Sequence, residues 1–137
     1  MKRVWVIGLI LMLSLSILGG CDKSDEMTYE DGNYSAESDI DENGWKGLIN
    51  ITVENKEITI VDYDEIDEND NKKTEDEEYS ETMDNASGIR PEDAFEELEE
   101  ALINTQNAEQ IDAVTGATSS SEQFKKLAEK ALNKWDK

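Results

Sequence analysis

Histidine is absent from the sequence, and cysteine and proline occur once each, as Cys21 and Pro91. Without imidazole and with a lone thiol, no intrachain disulfide forms, and Ser-His catalysis, Cys-His catalysis and the usual zinc sites are excluded. Basic residues are scarce too: 13 Lys and Arg stand against 34 Asp and Glu, a net charge of −21. Nucleic acid is therefore excluded as a partner, since its binding depends on Lys and Arg displacing counterions from phosphates. The same charge repels an anionic lipid surface, and most of the carboxylates serve solubility. The apolar run near the N-terminus is shorter than the ~20 residues that a membrane span needs. Redox or transfer chemistry in such a chain has to come from a borrowed group.

What the N-terminus does have is an address. Lys2 and Arg3 precede an uncharged stretch, Val4 to Leu18, that runs into Leu18-Gly19-Gly20-Cys21. That is the order of a secretion signal ending in a lipobox. Gly19 and Gly20 let the chain lie extended in a peptidase cleft, while the Cys21 thiol accepts a diacylglyceryl group before cleavage. The expectation is a lipoprotein signal peptide over 1–20, an acidic tether over 21–30 and one domain over 31–137, held to membrane lipid through Cys21 on the extracytoplasmic side of the cell membrane. Two acyl chains on one cysteine anchor stably, at ~0.8 kcal/mol per buried methylene. The processed chain would keep 11 basic and 34 acidic side chains, a net charge of −23. Its leash from Asp22 to Glu30 reaches at most ~30 Å at about 3.3 Å per residue.

Beyond the leash, Gly32 to Ser38 alternates Tyr34 and Ala36 with polar residues and reads as a strand, followed by a loop over Asp39 to Gly44. Trp45, Ile49, Ile51 and Val53 then fall at odd positions with Lys46, Asn50 and Thr52 among them, the period of a half-buried strand. Glu54 to Glu57 is expected as a hairpin turn, and Glu57 to Tyr63 as a third, β-branched strand. From Asp64 to Asn85 nearly every residue is polar, which predicts a long solvated loop or irregular excursion with one helical turn near Tyr79 to Met83. Pro91 opens a helix carrying Ala94, Phe95, Leu98, Ala101 and Leu102 on one face, with Glu92 and Asp93 suited to its dipole. Phe124, Leu127, Ala128, Ala131, Leu132 and Trp135 mark a final helix by their spacing. Ser119/Glu122 and Ser120/Gln123 both have capping-box spacing at its start. The expected fold class is α+β, a small antiparallel sheet packed against two helices.

Just before the final helix lies Ile111-Asp112-Ala113-Val114-Thr115-Gly116-Ala117-Thr118-Ser119-Ser120. A short apolar stretch enters a glycine turn, and hydroxyls gather at a helix N-terminus, where free N–H groups and the dipole favour phosphate. Gly116 removes a side chain where something bulky approaches the backbone. Taken alone, these residues mark a capped turn more readily than an anion site.

Asp112-Ala113-Val114-Thr115-Gly116-Ala117-Thr118 resembles the flavinylation motif of the FMN-binding domain family: Asp, two residues, Ser or Thr, then Gly-Ala-Thr. The likeness extends through Asp31-Gly32-Asn33-Tyr34, Asn43-Gly44-Trp45-Lys46-Gly47 and the hairpin from Ile51 to Val61, so it covers most of the processed chain. The resemblance implies that FMN is carried covalently, by a phosphoester on Thr118. It implies as a partner an FAD:protein FMN transferase, a separate enzyme that moves FMN from FAD onto that threonine. Thr115, Gly116 and Ala117 would shape the turn. Asp112 would position the loop for the transferase or ligate its metal, and as a loop-capping aspartate it would need neither role. Covalency has a physical logic, because a cofactor outside the cell membrane is diluted away unless free FMN exceeds its dissociation constant.

Trp45, Tyr34, Tyr79 and Met83 are candidates for stacking on a flavin, and equally for ordinary packing. Asp39-Ile40-Asp41-Glu42-Asn43-Gly44 has the opening half of a calcium loop, but Asn50 stands where the bidentate glutamate belongs. Asp67, Asn69, Asn71 and Glu78 have ligand spacing, with Lys72 where glycine is required. Both read as turns. The expected function is an extracytoplasmic flavoprotein that relays electrons and is not itself an enzyme. The alternatives are a peptide-pheromone precursor, releasing Leu13 to Gly20, and a binding module that never becomes flavinylated.

Overall fold

In the computed structural model, residues 27–133 are described, so the lipobox with Cys21, and Trp135, lie outside them. Three strands form one antiparallel sheet in the order β1 (Gly32–Glu37), β2 (Lys46–Glu54), β3 (Glu57–Ile66). The predicted turn between β2 and β3 closes on Asn55 and Lys56, whose φ values of 54° and 66° give the left-handed pair that a two-residue hairpin loop demands. Val53 pairs with Ile58, but Thr52 pairs with Ile60, so β3 carries one extra residue there. The bulge turns Ile58 and Val61 to the same side, where both are buried, and leaves Ile60 57% exposed.

One face of the sheet is covered by α2 (Pro91–Thr105), which lies on β3, and by α3 (Thr118–Leu132), which crosses β2 and β1. The core between the layers holds Ile49, Ile51 and Val53 from β2, Phe95, Leu98 and Leu102 from α2, and Phe124, Leu127 and Ala128 from α3. Each of these side chains except Ala128 contributes roughly 1.5–3 kcal/mol on full burial. Tyr63 stands edge-on between Phe95, at 4.9 Å, and Phe124, at 5.1 Å. The outer edge of β3 is closed by side chains from α2 and its C-terminal end. The Tyr63 N–H donates to Glu99 Oε1 at 2.7 Å, and Gln106 takes the Ile58 N–H on Oε1 at 2.7 Å while its Nε2 donates to the Ile58 carbonyl at 2.9 Å. A covered edge cannot template another strand.

Both helices read from the sequence are present, and the sheet-on-helix architecture is a single small α+β domain. The acidic stretch is different from expectation. Strand β3 continues past Tyr63 to Ile66, a short 3-10 turn follows at Lys73–Glu75, and an eleven-residue helix, α1, spans Glu77–Ser87. Helix α1 buries only Ser80, so it has no apolar stripe to reveal it. Its ends hold it: Asp76 accepts the Tyr79 N–H at the start, Glu77 and Glu78 suit the positive dipole end, and Gly88 closes it in the left-handed conformation.

Candidate functional site

The segment before α3 is pinned by two buried side chains, Ile111 and Val114, which leave Asp112, Ala113, Thr115 and Gly116 on the surface. Gly116 turns with φ 87°, the Ala117 N–H closes back on the Val114 carbonyl at 3.0 Å, and Thr118 becomes the first residue of α3 with its side chain exposed. No capping box forms. Ala117 is the cap residue and makes no side-chain cap bond. The serine that matters is Ser121, fully buried, whose hydroxyl accepts the Val114 N–H at 3.0 Å and donates to the Ala117 carbonyl at 2.7 Å. Gln123 is drawn away from the helix start, donating instead to Ser38 Oγ at 2.6 Å. The first-turn N–H groups of Thr118, Ser119 and Ser120 are thereby left without a capping side chain, at the positive end of a fifteen-residue helix.

These residues form one wall of an open cleft of about 720 Å³. Gly116, Ala117 and Thr118 line it; Asp112 and Thr115 do not. Ser38, Asp41 and Asn43 come from the end of β1 and the following loop, and Glu65, Lys73, Tyr79 and Met83 from β3, the 3-10 turn and α1. Of the aromatic and thioether candidates, Tyr79 and Met83 face the cleft. Trp45 packs edge-on against Tyr79 at 5.4 Å, whereas the Tyr34 hydroxyl donates to the Glu30 carbonyl at 2.6 Å, near the start of β1. The half-calcium loop is a turn in which Asp41 Oδ1 accepts the Asn43 and Trp45 N–H groups, at 2.8 and 2.9 Å. Asp67 Oδ1 does the same for Asn69 and Asn71, and the Asn71 side-chain amide donates to Oδ2 at 3.0 Å; that side-chain bond first, then the backbone bonds, hold the Asp67 carboxyl below the usual range.

The floor holds two charges that sequence reasoning missed. Lys73 and Glu65 form an ion pair with side chains 6% and 2% exposed. Removing such ions from water costs several kcal/mol each unless their hydrogen bonds are completed. Here the cost is offset in part: the second oxygen of Glu65 accepts the Tyr63 hydroxyl at 2.9 Å, and Lys73 Nζ lies 4.7 Å from the centre of the Trp45 ring and 4.9 Å from that of Tyr79, within cation–π range. Burial, with the charge of Glu65 next, holds the Tyr63 phenol protonated well above its ordinary range. Glu65 was legible in one respect, since it continues the inward alternation Val61, Tyr63, Glu65. Nothing local marks Lys73 within its acidic surroundings.

Comparison with known proteins accords with this geometry. The model of the FMN-binding domain matches residues 44–133, which includes the motif and most of the cleft. A 15 kDa lipoprotein of Treponema pallidum is 39% identical over 117 residues, covering 85% of this chain and 81% of the relative. A crystal structure from Clostridium perfringens superposes with a TM-score of 0.74 at 45% identity, over 77% of this chain and 87% of that one. A solution structure from Clostridium thermocellum does so with a TM-score of 0.54 at 28% identity, over 79% and 93%. By the extent of that match and the motif that it contains, the chain belongs to the FMN-binding domain family.

Proposed function

We propose that this protein is an exported lipoprotein, anchored in the cell membrane through lipidated Cys21, that carries FMN as a phosphoester on Thr118 and relays electrons on the extracytoplasmic side. The observation that carries the reading is the position of Thr118: an exposed hydroxyl at the first turn of α3, on the wall of a cleft large enough for a cofactor. The lining fits the group. Uncapped N–H groups beside Thr118 suit a phosphate, Tyr79, Met83 and Leu127 offer apolar surface to a ring, and Glu65, Lys73 and Gln123 offer polar partners.

FMN, when bound, supplies one- and two-electron chemistry that no side chain here can provide. The chain's own residues bind and orient. Thr118 holds the phosphate end, and the Gly116-Ala117 turn brings that hydroxyl to the surface where a transferase can reach it. Asp112 and Thr115, on the same exposed loop but outside the cleft, fit recognition by the FAD:protein FMN transferase better than contact with the ring. Membrane attachment agrees with the lipoprotein relative, and among the described residues no helix is long and apolar enough to cross a membrane. Tyr29, at the end of the leash, donates to the Gln106 carbonyl at 3.0 Å, so the tether enters at the hairpin end of the sheet and the cleft opens at the other end.

The test is intact mass after coexpression with an FMN transferase. The wild-type protein should gain FMN less water, roughly 438 Da for a covalent ester, and Thr118→Ala should gain nothing. An unmodified, colourless wild type in the presence of active transferase and ample FAD would remove the basis for electron relay.

A further inference from the structure

We propose that Lys73, held by Glu65, is the polar floor on which the flavin ring rests and that its ammonium group sets the reduction potential of that ring; this deepens the flavin reading above and rests on it. Three observations meet at this residue. First, Lys73 and Glu65 line the same cleft as Thr118, although they come from an acidic stretch with no local reason to bury a cation. A buried ion pair is weak as a stability device, because well-packed apolar residues of similar volume do as well. Its place in the lining of a cleft points to a role toward what the cleft holds.

Second, the ammonium group is fixed. Glu65 holds it from one side and the faces of Trp45 and Tyr79 from the other. Glu65 in turn is tied to the Tyr63 hydroxyl, and the Tyr63 ring is wedged between Phe95 and Phe124 in the core. A charge anchored in this way needs no reorganisation when a neighbouring group changes its own charge.

Third, the charge of the molecule gives such a cation a task. Two electrons from an external donor and one proton from solvent convert the oxidised ring to a reduced ring bearing one additional negative charge. On a processed chain with 11 basic against 34 acidic side chains, a net charge of −23, that addition is opposed. The cleft lining contains two basic side chains, Lys73 and Lys126, against the carboxylates of Asp41, Glu65 and Glu122. Lys126 is exposed and screened by solvent, whereas Lys73 is buried, where its field is least attenuated.

The experiment uses the flavinylated, lipidated protein in detergent, titrated reductively with dithionite against a reference dye. Wild type is compared with Lys73→Met, Lys73→Arg and the double variant Lys73→Met/Glu65→Gln. Lys73→Met should displace the reduction equilibrium at least tenfold toward the oxidised ring, about 30 mV for a two-electron couple. Lys73→Arg, which keeps the charge, should stay within threefold of wild type. The double variant leaves no unpaired ion in the floor and so guards against misfolding; its potential should also fall, by less than that of Lys73→Met. If FMN is attached in every variant and the potentials of Lys73→Met and the double variant match wild type, the role of Lys73 is overturned, whatever happens to thermal stability. If the mass of the wild type shows no FMN on Thr118, the flavin reading itself fails, which is a different result.

Discussion

A Cβ atom on Gly116 would stand 2.7 Å from the carbonyl oxygen of Ser87, closer than real side chains approach a backbone atom. The turn that presents Thr118 therefore packs directly on the last residue of α1. Two segments far apart in sequence, one the family motif and the other part of the acidic stretch, meet backbone to glycine. The cleft owes its shape to that contact, because α1 brings Tyr79 and Met83 to face the motif.

The first prediction concerns this contact. Gly116→Ala meets both a left-handed φ of 87° and an immovable backbone oxygen. Gly88→Ala is its control, with a φ of 78° and nothing within 4 Å of the added carbon. The left-handed conformation costs roughly 1–2 kcal/mol for alanine, and overpacking adds about 1–3 kcal/mol. Urea denaturation should show Gly116→Ala as the less stable by the overpacking amount. Equal midpoints for the two variants would mean that the turn and α1 do not touch as described.

How much of this was readable in advance depends on whether the signal is local. Ala94, Phe95, Leu98 and Leu102 repeat at helical spacing and are buried, and Ile49, Ile51 and Val53 alternate and are buried. Those elements report their own periods. Thr118, Gly116 and Ala117 are adjacent in sequence, so one wall of the cleft was legible from a motif alone. The other wall was not. Asp64 and Glu65 fall in the stretch expected to be a solvated loop, and the buried position of Glu65 depends on Lys73, eight residues away, and on the Trp45 and Tyr79 rings that face Lys73. Helix α1 buries one serine, which leaves its ends as its sequence marks, Asp76, Glu77 and Glu78 at the start and Gly88 at the close. The capping boxes misled because Ser121, one residue further on, serves the preceding loop instead of the helix start.

Ser121 yields the second prediction. Its hydroxyl satisfies the Val114 N–H and ties it to the Ala117 carbonyl, all inside the protein. Ser121→Ala leaves that N–H without a partner, at a cost of about 1–3 kcal/mol. The loss should appear in the denaturation midpoint. It should also slow FMN attachment at limiting transferase, because the loop that presents Thr118 is no longer held to α3. Unchanged stability would show that water or a backbone shift replaces the hydroxyl. Rapid modification of a destabilised variant would show that the transferase does not require a rigid loop.

Glu99 gives a prediction with a pH signature. Burial raises its carboxyl from 4.5 to about 7, the Tyr63 N–H opposes the shift, and the charges of Asp62, Asp64 and Glu96 add to it. The folded protein therefore binds this proton more tightly than the unfolded chain does. Its contribution to stability is fully present below pH 4.5 and is lost as pH rises toward about 7, after which it is constant. Glu99→Gln removes the charge and keeps an oxygen to accept the Tyr63 N–H that closes the edge of β3. The group is partly solvent-exposed, so screening reduces the effect to on the order of 1 kcal/mol. The variant should be more stable than wild type at pH 8 by about that amount, and the advantage should shrink as the pH is lowered to 4.5. Denaturation curves at fixed ionic strength across this range test it. A difference that is independent of pH would show that Glu99 titrates normally and that its hydrogen bond, rather than its charge, governs this edge of the sheet.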